Sequence, residues 1–373
     1  MAATDGIFLA RPDEPAPGIP LAVKDLLDTA GLTTTYGSAV FADHVPARTA
    51  RAVLRLETAG YANVGKTNLH EFAYGITSEN PHYGTVPNPV APGRIAGGSS
   101  GGNAAALAAG LADAALGTDS GGSIRIPSAC CGVVGFKPTF DLVPTDGCFP
   151  LAPSFDHVGP MARTVDECVA QLEALVDGFE RAVLGSLEEV AVGVAWLDGA
   201  EPLVAARVRE ASDRFPRRRD VDWPRPQIDA LFMREVADVH RELYAENSEL
   251  YGEELATKIE RCLAVSDAEA SLAAHAREEY REQCTERLEG LDLLITPTLA
   301  CVAPPTGIGD LALRGTLIRH TLPFNALGWP ALALPCGPAE DRLPASLQLV
   351  GRPGADALVL AAGERLAEAL SSA

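Results

Sequence analysis

The sequence predicts an α/β sandwich, and three observations carry that expectation. Short apolar, strand-like runs alternate with helical segments on either side of a charged central stretch. Hydrophobic residues make up 47% of the chain and aromatics only 6%, so the core is built mainly from Ala, Val and Leu. The 373 residues exceed a common single domain, yet one large α/β sheet can organise that length; one domain over residues 1–373 is expected, with two as the alternative.

Residues 1–18 are Pro-rich and read as irregular or laid along the surface. Ile19–Val23 reads as a short buried strand that delivers Lys24 and Asp25 into an apolar neighbourhood. Position alone favours an edge lysine paired with Asp25 in solvent, because lysine is seldom fully buried. Thr49–Ala59 has helical spacing and stops at Gly60, a residue suited to closing a helix. Tyr61–Val64 follows as a strand, and Thr67-Asn68 should cap a helix containing Leu69, Phe72 and Ala73. Gly60–Thr67 also fits the phosphate-loop expression GxxxxGK[ST], but that loop needs a strand before its first glycine and here a helix precedes it. Lys66 therefore reads as structural.

The alanine run Asn103–Leu111 favours a tightly packed helix, and Ala112–Thr118 a buried strand ending at Asp119. Ser120-Gly121-Gly122-Ser123 is then a strand-to-helix turn with outward-facing amides, and Val133–Phe136 the next strand. Thr164-Val165-Asp166-Glu167 is a capping box for a helix running to about Asp177. Beyond Glu188 come a strand at Val190–Ala195 and charged helical stretches around Arg234–Tyr251 and Glu269–Leu288, whose charges read as solvated faces. Strands return at Leu291–Thr296, Ala331–Pro335 and Ala345–Val350 before a last helix over Ala355–Leu370.

Composition excludes several functions. A formal net charge of −20 without a basic tract repels nucleic-acid phosphates and anionic lipid, so neither nucleic acid nor membrane is an expected partner. There is no basic leader, and no apolar run reaches the roughly 18 residues of a spanning helix, so a cytoplasmic location is expected. The eight cysteines, including Cys130-Cys131, match neither a redox nor a zinc pattern and read as buried thiols. The seven histidines lack HxxxH or HExxH spacing, so no metal is expected.

The stretch Gly93–Pro127 concentrates small residues in two serine-glycine clusters, a pattern suited to a hydroxyl-based site lined by backbone amides. Serine needs a base to become a nucleophile, and the developing oxyanion needs fixed donors. Ser123 has donors in the amides of its own turn, but no local base. A histidine and an acid could serve, with Gly97–Gly101 matching the GxSxG elbow, although Pro92–Ala96 is a poor strand for it. Alternatively a buried lysine, kept neutral by desolvation, could take the proton, and Ile19–Lys24 could supply one.

Several motifs add a resemblance. GIPLAVKD at Gly18–Asp25, VGKTNLHEFA at Val64–Ala73, AGGSSGG at Ala96–Gly102 and GTDSGGSIRIPSACCGVVGFKPT at Gly117–Thr139 look like those of the amidase signature family. So do FPLAPSFDHVGPMARTV at Phe149–Val165, TLPFNALGWPALALPCG at Thr321–Gly337 and LQLVGRPGADALVL at Leu347–Leu360. The similarity spans nearly the whole chain outside the insert near residues 197–288. It implies a mixed, mostly central β-sheet flanked by helices on both faces, with a catalytic core over about 18–180 and 290–373.

The resemblance further implies that Ser123 is the nucleophile, Lys24 the neutral base and Ser99 a bridging serine on a cis peptide. The amides of Ser120, Gly121, Gly122 and Ser123 would form the oxyanion hole, with Ser100, Asp119 and Arg125 as supporting groups and Asp119 the partner of Arg125. No cofactor is implied. Ala73, Tyr74 and Gly75, with Ile76, the Gly147–Phe155 loop and Leu317–Phe324, are implied pocket walls; Arg319 either binds a substrate carboxylate or makes a surface ion pair. Only 23 residues precede Lys24, so a helical segment usual in the family is nearly absent, which bears on substrate access and association and leaves a homodimer open. Cys130 stands where a larger hydrophobe is common. The expected function is hydrolysis of a small-molecule carboxamide through a seryl acyl-enzyme; the alternative is the glutamine-hydrolysing, A-type component of a multiprotein aminoacyl-tRNA amidotransferase.

Overall fold

The computed structural model describes residues 5–14 and 16–372. The strands are β1 (Phe8–Ala10), β2 (Ile19–Lys24), β3 (Tyr61–Thr67), β4 (Glu79–Asn80), β5 (Gly84–Thr85), β6 (Ala114–Thr118), β7 (Val134–Lys137), β8 (Val158–Ala162), β9 (Ala191–Val194), β10 (Arg217–Asp220), β11 (Leu293–Pro297), β12 (Ala331–Pro338) and β13 (Pro344–Gly351). All but the small β4-β5 hairpin join one 11-stranded sheet in the order β1-β3-β2-β6-β8-β7-β12-β13-β11-β9-β10. The sheet is mixed: β3, β2 and β6 run parallel, as do β11, β9 and β10, while the central strands from β6 through β8, β7, β12 and β13 to β11 pair antiparallel.

The helices are α1 (Arg51–Thr58), α2 (Gly101–Ala108), α3 (Arg125–Cys131), α4 (Val165–Leu175), α5 (Pro202–Ser212), α6 (Asp229–Asn247), α7 (Glu253–Leu263), α8 (Asp267–Arg287), α9 (Asp310–Leu317), α10 (Leu322–Leu327) and α11 (Asp356–Ser371). Alternate residues of a strand face opposite ways, and the cores obey this. Leu21 and Val23 of β2 join α1, α4, α5 and α11 in the largest core, while Ala22 packs with the alanines of α2 on the other face. The capping box expected at Thr164 is present, with Glu167 as its partner.

The structure departs from the sequence-based expectation in informative places. Phe8–Ala10, in the stretch expected to be irregular, pairs antiparallel with β3; residues 1–4 and 15 of that stretch lie outside the described residues. The helix expected after Thr67 is only a single turn over Glu71–Ala73, because Phe72 and Ala73 take left-handed dihedrals (φ 47° and 58°) that a helix cannot continue. β8 carries Gly159 and Pro160 and has no strand-like pattern, and β10 is the exposed run Arg-Arg-Arg-Asp at a sheet edge, where charge protects unpaired backbone. Among the described residues no helix is long and apolar enough to cross a membrane.

α2 sits close against the strand layer because its first two residues, Gly101 and Gly102, have no side chains. A Cβ on Gly102 would stand 2.4 Å from the Asn68 carbonyl oxygen and 2.9 Å from that of Ile7, both fixed backbone atoms. Gly102→Ala is therefore expected to cost about 1–3 kcal/mol, as overpacking does. A lower urea midpoint at constant m would show it; an unchanged midpoint would contradict this packing.

Candidate active site

β2 and β6 are parallel neighbours, and both end at the same edge of the sheet, where open α/β sheets bind ligands. Lys24 closes β2 and Thr118 closes β6. The Lys24 amine is fully buried and lies 2.7 Å from both Ser99 Oγ and Thr118 Oγ1. Burial lowers its pKa to about 7, against the opposing pull of Cys148, Asp119 and Asp156.

This corrects the expectation of a solvent-paired Lys24. Asp25 turns away and accepts hydrogen bonds from the Thr35 amide (2.8 Å) and hydroxyl (2.7 Å), and its ion-pair partner is Lys66 at 3.4 Å. Lys66 itself lies within β3, donating to Thr34 Oγ1 (3.0 Å) and the Leu27 carbonyl, so Gly60–Thr67 is a strand and not a phosphate loop. Among the described residues Lys24 has no ion-pair partner.

Ser99 sits in the loop before α2, on a cis Gly98–Ser99 peptide. Its carbonyl accepts from the His70 amide (3.2 Å) and Ser78 Oγ (3.3 Å). Ser100 stitches this loop to the rest: its amide donates to the Ser123 carbonyl (3.1 Å) and its hydroxyl to the Thr118 carbonyl (3.2 Å). Gly117 permits that approach, since a Cβ there would stand 3.1 Å from Ser100 Oγ.

The turn bearing Ser123 is wound around Asp119. The amides of Gly122 (2.7 Å), Ile124 (3.2 Å) and Arg125 (3.4 Å) donate to the Asp119 carboxylate. Arg125 clamps the same carboxylate from Nε (3.0 Å) and Nη2 (2.9 Å), and reaches Gln348 (3.0 Å) and Asn325 (2.7 Å). Burial, the largest single influence, would raise the Asp119 pKa, but the Arg125 guanidinium together with Lys137 and Asn325 outweighs it and holds the carboxyl well below its usual range. The Gly122 N–H is thus already engaged. Among the described residues the amides of Gly121 and Ser123 carry no intramolecular acceptor, while the Ser120 hydroxyl donates to Asp156 (2.5 Å).

A cavity of about 90 Å³ opens beside this cluster, lined in part by Leu26, Thr118, Ser120, Cys148, Phe149 and Asp156. Ala73, Tyr74 and Gly75 do not line it. Instead the Tyr74 carbonyl accepts from Lys258 (2.5 Å), its hydroxyl meets Cys262 (3.3 Å), and Gly75 lies flat against the His70 ring. They brace the loop whose His70 and Ser78 hold the Ser99 carbonyl. Residues of the Gly147–Phe155 loop, by contrast, do line the cavity.

The histidine alternative finds no geometry. His157 Nδ1 contacts the carbonyls of Phe155 (2.7 Å) and Asp119 (3.2 Å), and both ring nitrogens of His320 are buried without a partner. No histidine among the described residues hydrogen-bonds a hydroxyl of Ser99, Ser100 or Ser123. Sequence reasoning missed Thr118, Asn325 and Gln348; only the polar residue closing an apolar strand, at Thr118, signals its position. No group of His, Cys, Asp or Glu that could hold a metal occurs among the described residues.

A buried amine and two serine turns at the strand ends of a large mixed sheet place the protein among α/β folds of the amide-hydrolase class. The chain belongs to the amidase signature family: the Amidase profile matches residues 2–183 and 218–360. It is similar to the A-type subunit of glutamyl-tRNA(Gln) amidotransferase from Haloarcula marismortui, with 33% identity over 98% of both chains. A crystal structure of an amidase superposes with a TM-score of 0.85 at 38% identity, covering 94% of this chain and 84% of the other. The corresponding A-type subunit from Thermotoga maritima gives a TM-score of 0.80 at 28% identity, covering 98% and 87%.

Removing one partner of a buried ion pair strands the other charge. Asp119→Asn is expected to lower folding stability by about 3–5 kcal/mol, since Arg125 stays fully buried. Chemical denaturation measures this, and a wild-type midpoint would refute the stabilising role.

Proposed function

We propose that the chain, acting as one domain over residues 1–373, hydrolyses a carboxamide C–N bond through a seryl acyl-enzyme. The observation that carries this reading is the Lys24 amine, buried without a carboxylate partner and 2.7 Å from the Ser99 hydroxyl. A lysine so desolvated is a competent base near neutral pH.

The proton of Ser123 Oγ passes to Ser99, whose own proton passes to Lys24 Nζ, as Ser123 Oγ bonds to the carbonyl carbon. The uncommitted amides of Gly121 and Ser123 receive the oxyanion; the Ser120 amide belongs to the same turn, while Gly122 serves by holding the turn on Asp119. Collapse breaks the C–N bond as the proton returns from Lys24 through Ser99 to the departing ammonia or amine. Water then attacks the ester carbonyl, the same relay takes its proton, and Ser123 leaves as the free hydroxyl with the product carboxylate. Thr118 and Ser100 position Lys24 and the nucleophile turn.

A second reading is favoured by the near full-length match to the Haloarcula protein: a glutamine-hydrolysing subunit working with partner proteins. Ammonia release from glutamine only when such partners are added would select it; turnover of simple amides by the chain alone selects the free-standing hydrolase.

Ser123→Ala should lower kcat at least about a thousandfold, and Ser99→Ala and Lys24→Ala about a hundredfold or more, in folded protein. Ammonia release and circular dichroism together check this, and near-normal turnover by either Ser123→Ala or Lys24→Ala would sink the relay. The pH dependence has a defined sign. Below its pKa, lowered to about 7, Lys24 carries a proton and cannot accept another, so kcat/KM should fall about tenfold per pH unit on the acid side and level off above. A profile flat down to pH 5, which is about two units below that pKa, would exclude Lys24 as the base.

A further inference from the structure

Lys24 touches two hydroxyl groups, and one of them faces the cavity. Its amine stands 2.7 Å from Ser99 Oγ and 2.7 Å from Thr118 Oγ1. Ser99 is fully buried in the loop before α2, whereas Thr118 lines the cavity together with Ser120, Cys148 and Asp156. A water or ammonia molecule in that cavity therefore meets Thr118 and is kept from Ser99. Thr118 is fixed in place: it closes β6, pairs with Val158 of β8, and its carbonyl accepts from the Ser100 hydroxyl at 3.2 Å.

Each half of an acyl transfer moves two protons. In the first, Ser123 gives one up while the departing nitrogen gains one; in the second, water gives one up while Ser123 regains its own. The departing nitrogen and the incoming water take the same place on the acyl carbon, on the side away from Ser123 Oγ. A neutral amine has one lone pair and two N–H groups, so Lys24 accepts from one hydroxyl and donates to the other, and as an ammonium it donates to both. A proton that arrives from one hydroxyl thus leaves by the other with neither side chain moving.

We propose that Thr118 is a second catalytic hydroxyl of the relay: Ser99 exchanges protons with Ser123, and Thr118 exchanges them with the leaving nitrogen and the hydrolytic water. This rests on the hydrolase reading above and redirects two of its proton transfers. In acylation the Ser123 proton passes to Ser99 and the Ser99 proton to Lys24 as the bond from Ser123 Oγ to carbon forms. As the C–N bond breaks, Thr118 gives its proton to the nitrogen and takes one from the Lys24 ammonium. In deacylation water bonds to the acyl carbon, its proton passes to Thr118 and the Thr118 proton to Lys24. As the ester C–O bond breaks, Ser99 protonates Ser123 Oγ and is reprotonated by Lys24, and the acid product ionises in solvent. Every group of the enzyme ends as it began.

An activated ester separates the two routes, since p-nitrophenolate leaves without a proton. Its acetate ester and acetamide form the same acetyl-enzyme, and intact mass follows the loss of the acetyl group. In Thr118→Val, which keeps the shape and removes the hydroxyl, single-turnover release of nitrophenolate should stay within about twofold of wild type. Hydrolysis of the acetyl-enzyme and acylation by acetamide should both slow about a hundredfold. Thr118→Ser should recover most of both losses, and Ser99→Ala should slow nitrophenolate release itself. Thr118→Ala is read in the same way should the valine protein not fold, with circular dichroism as the check. Nitrophenolate release that slows in step with deacetylation would show that Thr118 only places Lys24 and would overturn the proposal, as would unchanged deacetylation. If the wild type turns over neither ester nor amide, the hydrolase reading fails and the second hydroxyl falls with it; once the wild type turns over, the role of Thr118 alone is in question.

Discussion

The buried pair of Asp119 and Arg125 is the constraint on which the site depends. One carboxylate gathers three amides of the serine turn, and one guanidinium joins that carboxylate to Asn325 on α10 and Gln348 on β13. Distant parts of the chain thereby meet at a single charge pair. With Arg125 present, Asp119 stays ionised and can accept from all of these donors at once, whereas a neutral carboxyl would have to give up acceptor capacity. The conformation of the turn is thus specified electrostatically, by residues that point away from the cavity.

Four lysines are buried in this protein, Lys24, Lys66, Lys137 and Lys258, and their surroundings separate their roles. Lys66 faces Asp25 and Lys258 faces Asp310, so each is a structural ion pair. Lys137 has no carboxylate beside it either, but its amine meets the Pro138 carbonyl, which has no proton to give. Lys24 alone lies against two hydroxyl groups. Desolvation acts on all four; Lys66 also meets one hydroxyl, that of Thr34, but Asp25 holds its charge, so proton exchange is open only where a hydroxyl neighbour comes without a carboxylate.

The outline of the fold was legible from apolar runs, caps and glycines: Ile19–Val23, the alanine helix and the capping box at Thr164 all appear where their patterns place them. The serine-glycine clusters likewise announced turns that matter. What stayed illegible depends on long-range placement. Burial of Lys24 follows from β2 lying between β3 and β6, and no local pattern encodes that. β10 has no apolar face to read, and β8 contains a proline that argues against a strand. The left-handed Phe72 and Ala73 curl a stretch that reads as helical, which is why Tyr74 and Gly75 brace the Ser99 loop and do not line the cavity.

The contacts of α7 bear on how this architecture can diversify. Gly252, just before α7, donates to Glu71, and Lys258 within it grips the Tyr74 carbonyl together with Asp310. The motifs read from the sequence lapse near residues 197–288, but the family profile resumes at residue 218, so α7 belongs to the shared domain and is keyed into the very loop that supports Ser99. This segment is therefore not an independent module. Any change in this segment has to keep a cation at the position of Lys258 and an amide at that of Gly252, because those two points of attachment hold the loop behind Ser99.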